Sequence, residues 1–146
     1  MRGGRLHSEI LARGLQAALE GLGARVWTEY PVGPGRGVQA VDLYAERNGV
    51  RVAFEVELGP RRVLQDVRKA EILGVDALVI VTPTAKVAAL ARRRLRTRTP
   101  SRVTVHVLPF GRALALLSQV FSVEPRLDPK SKGGSRTTSS GTEEVG

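Results

Sequence analysis

The chain has 146 residues, a length suited to one domain with its own apolar core, and no cysteine, which excludes disulfides and thiolate-bound metals. No apolar run approaches the roughly 20 residues of a membrane span, and the start, MRGGRLHSEI, lacks the apolar core of a secretory signal, so a soluble, cytoplasmic protein is expected. The net charge is +9 and the pI about 11.2, a balance that points to a polyanionic partner, nucleic acid first among them.

In chain order, residues 6–22 read as an amphipathic helix with Leu11, Leu15, Ala18 and Leu22 on its apolar stripe. Residues 24–30 alternate like a strand, and PVGPGRG (31–37) is a loop. VDLYAERNGVRVAFEVEL (41–58) reads as two strands joined at Asn48-Gly49, a strong hairpin signal. Pro60 opens a helix over 61–74 that Gly74 ends. DALVIVTP (76–83) is a buried strand, 84–98 a helix ending in a run of arginines, 102–109 a strand and 110–121 a last helix. Residues 1–125 are expected to form one domain, and residues 126–146 have the composition of a disordered tail. The order α-β-β-β-α-β-α-β-α predicts an α/β fold: an antiparallel meander continued by parallel strands through right-handed crossovers, with helices on both faces.

Side-chain alternation places Val50, Val52, Phe54, Val56 and Leu58 on one face of the second hairpin strand and Glu55 and Glu57 on the other. In the first strand Val41 and Leu43 are expected to point one way, Asp42 and Tyr44 the other. The hairpin can therefore gather Asp42, Glu55 and Glu57. Carboxylates that close repel one another unless a cation sits among them or one takes up a proton, so a metal site is expected.

A helix with an early glutamate, then a meander, an acidic hairpin and a crossover helix resembles the PD-(D/E)XK (restriction-endonuclease-like) nuclease superfamily. The pattern is most like that of archaeal Holliday junction resolvases and related small nucleases, and it covers roughly residues 5–83. The single methionine and absent cysteine fit a thermophile-like composition. The resemblance implies a mixed sheet of the restriction-endonuclease type and Mg²⁺- or Mn²⁺-dependent hydrolysis of DNA phosphodiesters, with no small-molecule cofactor. Asp42 matches the family aspartate, Glu55 the first residue of E-x-K and Glu9 the helix glutamate, and the family fold places the Val56 carbonyl near the ion. Glu57 stands where the family has lysine.

Three explanations of that departure are open. The cation has moved to the next helix, to Lys69 or Arg68, with Gln65 one turn before Lys69. Or Glu57 is a further metal ligand or the general base. Or cleavage is lost and binding remains, which leaves a nuclease-fold module that holds DNA or a nuclease partner. A basic surface for DNA is expected from Arg36, Arg61, Arg62 and Arg68, and a homodimer would suit branched DNA. His7 and His106 lack partners at metal-ligand spacing.

Overall fold

The computed structural model describes residues 2–33 and 39–122, with side chains from Leu6 onward. Arg36, within the 31–37 loop, and the tail 126–146 lie outside the described residues. The elements are α1 (Arg2–Gly21), β1 (Arg25–Pro31), β2 (Ala40–Arg47), β3 (Val50–Val56), α2 (Val63–Leu73), β4 (Ala77–Thr82), α3 (Ala85–Leu95), β5 (Thr104–Pro109) and α4 (Phe110–Val120). The five strands form one mixed sheet in the order β1-β2-β3-β4-β5. β1, β2 and β3 are antiparallel, whereas β4 and β5 run parallel to β3.

Local chemistry accounts for the boundaries. Asn48 and Gly49 have φ of 54° and 80°, the left-handed pair that lets a two-residue hairpin match strand twist, and Arg47 and Val50 pair across it. Gly74, at φ 71°, closes α2 with its N–H on the Ala70 and Glu71 carbonyls. Thr84 caps α3 by accepting from the Val87 N–H at 3.2 Å. α1 begins at Arg2 rather than at residue 6. Ser8 and Glu9 therefore sit inside the helix rather than in its first turn.

Two apolar layers sandwich the sheet. α1 and α4 bury Leu11, Leu15, Leu19, Ala113 and Leu117 against Leu43, Val52, Phe54 and Val79. α2 and α3 bury Val63, Val67, Ala70, Ala88 and Ala91 against Ala53, Leu78 and Ile80 on the opposite face. β4 is buried along its whole length, as a central parallel strand covered on both sides must be. Among the described residues, no helix is long and apolar enough to cross a membrane.

The regular alternation expected for β2 breaks at Asp42. Leu43 belongs to the α1/α4 layer, but Val41 belongs to the α2/α3 layer. The pairing of β2 with β3 stops at Leu43 and Phe54. On the other side, Glu29 takes φ 47° and does not pair with Asp42. The chain turns its faces over at this point, so Val41 and Leu43 do not share one.

Candidate active site

The break in the β2–β3 ladder is filled by side chains. The Asp42 N–H donates to Glu55 Oε1 at 3.3 Å, and the Val56 N–H donates to Asp42 Oδ2 at 2.7 Å. Two carboxylates thus take the place of backbone carbonyls at the seam where the strands part.

Glu55 projects from β3 toward α2 and is only 3 % exposed. There it meets Lys69, whose Nζ lies 2.7 Å from Glu55 Oε2 and donates to the Ala40 carbonyl, also at 2.7 Å. Asp66, one turn earlier on α2, is 2 % exposed, with Oδ1 3.9 Å from Lys69 Nζ. Glu57 follows the end of β3 and is anchored by its N–H on the Val81 carbonyl. Carboxylate oxygens of Glu55, Glu57 and Asp66 all lie within 4.8 Å of one another.

One lysine does not balance these charges. Burial, then the charge of Asp42, push the Glu55 carboxyl up to about 8 against the pull of Lys69. Burial, a hydrogen bond with Glu57 and the charges of Glu55 and Glu57 push Asp66 up to about 10, again with Lys69 opposing. Asp66 Oδ2 is buried and receives no N–H or hydroxyl donor. The neighbouring Glu57 carboxyl can supply it only with a shared proton. A cluster that must hold protons at neutral pH is one in which a divalent cation can replace them.

The remaining expected residues divide by location. Glu9 shares with Asp42 a cleft of about 300 Å³ on the α1 side, also lined by Arg13, Gln16 and Glu29. Arg61 and Arg62, both exposed, line a second cleft of about 390 Å³ with Glu57, Leu58 and Gly59. Ser8 lines both clefts. Gln65 is half-buried on α2. Arg68 is exposed and lines a groove with Thr97, Arg98 and Glu71, apart from the carboxylates. His7 is exposed on α1. His106 is half-buried on β5, where burial lowers its pKa.

The expected trio is thus extended rather than dispersed: Asp42 lies beside Glu55 as the leading charge acting on it, and Asp66 joins Glu55 and Glu57. Asp42 sits at the seam with its carboxylate on the Val56 N–H. Asp66 carried a legible signal that the hairpin-centred reading passed over: it lies on the inward stripe of α2 with Val63, Val67 and Ala70, where an apolar residue is the rule.

The chain matches no protein-family model and no curated protein. Among solved structures it is similar to the crystal structure of the protein of unknown function AF1548, with a TM-score of 0.52 over 84 % of this chain and 73 % of that one, at 17 % identity. At that identity the likeness speaks for the fold: an α/β domain built on a mixed sheet.

Proposed function

We propose that the chain is a restriction-endonuclease-like, metal-dependent nuclease that hydrolyses DNA phosphodiesters, in which Lys69 on α2 supplies the cation absent from position 57. The observation that carries this reading is the 2.7 Å pair between Lys69 and buried Glu55 inside a carboxylate cluster that one lysine cannot neutralise. The donor set is all oxygen, and the buried Asp66 Oδ2 has only the neighbouring Glu57 carboxyl to share a proton with, which fits Mg²⁺ or Mn²⁺. Glu55, Glu57 and Asp66 would hold the ion, with Asp42 and the Val56 backbone fixing the strand ends beside it. When bound, such an ion supplies Lewis acidity and charge neutralisation to a phosphodiester.

The chain's own groups have separable tasks. Lys69 steadies Glu55 and offers positive charge toward the phosphate as it gains negative charge. Glu57, the least buried of the three clustered carboxylates, accepts the proton of the attacking water. Arg61 and Arg62 hold the backbone in the adjoining cleft. Glu9 faces the scissile region from α1 through the cleft it shares with Asp42.

A second reading, a module that holds DNA without cutting it, draws on the engagement of Asp42 Oδ2 by the Val56 N–H. Incubation with branched and linear DNA separates the two. Cleavage is expected with Mg²⁺ or Mn²⁺ and none in EDTA. Binding to either DNA that leaves it intact with both metals would establish the second reading in place of the first.

A further inference from the structure

The sheet face that carries Glu55 continues past α2 onto β2 and β1. There it gathers the chain's single tryptophan and both of its tyrosines. Tyr30 and Tyr44 stack with centroids 4.3 Å apart and planes at 13°. Trp27 meets Tyr44 at 5.4 Å and Tyr30 edge-on at 6.2 Å. β1 makes its main helix contacts with α1, which lies on the opposite face, while on this face Tyr30 and Tyr44 reach the margin of the α2/α3 layer. Trp27 is accordingly 37 % exposed.

The two tyrosines are half-buried at that margin, and Trp27 carries the ring cluster out onto an open surface. Its charges are placed to match. The Arg25 guanidinium lies 5.4 Å over the Trp27 ring, while its side chain, 72 % exposed, also pairs with Glu46 at 2.9 Å. Across the strands Arg25, Glu46 and Arg51 form one row, in which the half-buried Arg51 guanidinium turns to the Gly74 carbonyl and the Tyr44 hydroxyl and Arg25 is the exposed cation. Trp27, Tyr44 and Ala53 form the next row. Glu55 lies two residues further along β3, so Trp27 is on the order of 12 Å from it in the plane of the sheet. Rings beside an exposed guanidinium accept bases on the former and phosphate on the latter.

We propose that this patch is a stacking platform for the unpaired bases of single-stranded DNA, with Trp27 as its principal contact and Arg25 as its phosphate partner. The idea deepens the nuclease reading by naming unpaired nucleotides as what lies beside the carboxylate site, and it rests on that reading for its purpose. Binding itself requires no cleavage.

The test uses the full chain in EDTA with an oligothymidylate of about 16 nucleotides and a duplex of equal length. Because Trp27 is the sole tryptophan, its emission reports this patch directly. Quenching by the single strand is expected, with a smaller change on the duplex. Trp27→Ala should weaken single-strand binding about tenfold, a loss that persists as salt is raised, and Trp27→Phe should keep most of the affinity. Unchanged Trp27 emission at saturating oligonucleotide, or no single-strand binding at all, would overturn the platform. So would equal affinity of wild type and a folded Trp27→Ala. If Trp27→Ala fails to fold, the wild-type emission and Trp27→Phe decide. Cleavage in Mg²⁺ without quenching would leave the nuclease reading standing and remove the platform, whereas quenching without cleavage would do the reverse.

Discussion

Glu55→Gln is expected to lower metal-dependent DNA cleavage by at least about 10³-fold, the scale for losing a central electrostatic group, while leaving stability near neutral pH within about 1 kcal/mol of wild type. The two halves follow from one fact. Burial holds the Glu55 carboxyl up to about 8, so without a cation the group already carries a proton through much of the neutral range. An amide of the same shape imitates that protonated form and keeps an acceptor for the Asp42 N–H. It cannot imitate the charged form that a cation would require. Lys69→Met provides the converse. Cleavage should fall about 10²-fold or more, and stability by about 1–3 kcal/mol, because the Ala40 carbonyl loses its donor. Loss of a buried ion pair commonly costs more, but here Glu55 can neutralise itself. Single-turnover cleavage and urea unfolding of both variants supply the readout. Full activity in Glu55→Gln would remove the site from consideration.

In EDTA the melting temperature is expected to fall as pH rises from about 6 to about 9, and divalent cation should reverse that fall. The sign comes from the raised carboxyls. The folded protein binds protons at Glu55 and Asp66 more tightly than the unfolded chain, whose groups titrate near 4.5 and 3.8. Their contribution is complete below those values. It is lost as pH climbs through about 8 for Glu55 and about 10 for Asp66. A cation competes with these protons, so Mn²⁺ should raise the melting temperature more at the alkaline end. At a hundredfold excess over its dissociation constant the gain is about 2.7 kcal/mol. The double variant Glu55→Gln/Asp66→Asn should flatten both the pH dependence and the response to Mn²⁺. Melting curves in which the wild type and this variant run parallel would refute the linkage.

Most of the fold could be read from the residues because each element announces itself over short range. The Asn48-Gly49 turn, the breaker after β4, the glycine that ends α2 and the leucine stripe of α1 all act through neighbours a few positions away. The site was legible only where its residues obey the same rule. Glu55 and Glu57 come together because the extended alternation of β3 carries over to the residue after its end. Asp42 does meet Glu55, but the manner of it, with the Asp42 carboxylate on the Val56 N–H, was not legible, because the switch of faces there depends on Glu29 across the sheet and on carboxylates that displace backbone partners. Asp66 and Lys69 reach the cluster through the crossover, a long-range consequence of strand order. Lys69 is found through its place in the resemblance. Asp66, by contrast, could be found by asking why an acid should lie among Val63, Val67 and Ala70. The aromatic patch needed the register of β1 with β2, which alternation alone does not set.

The seam between β2 and β3 also has a spectroscopic consequence. Two peptide groups there, at Asp42 and Val56, are tied to carboxylate oxygens, whereas the neighbouring residues Leu43 and Phe54 still pair strand to strand. The ¹⁵N–¹H resonance of Asp42, bonded to Glu55, should therefore shift with acidity, and those of Asp42 and Val56 on addition of Mg²⁺, while those of Leu43 and Phe54 move far less. The backbone itself would serve as an in-built indicator, reading the occupancy of the carboxylates without a substrate, a label or a turnover event.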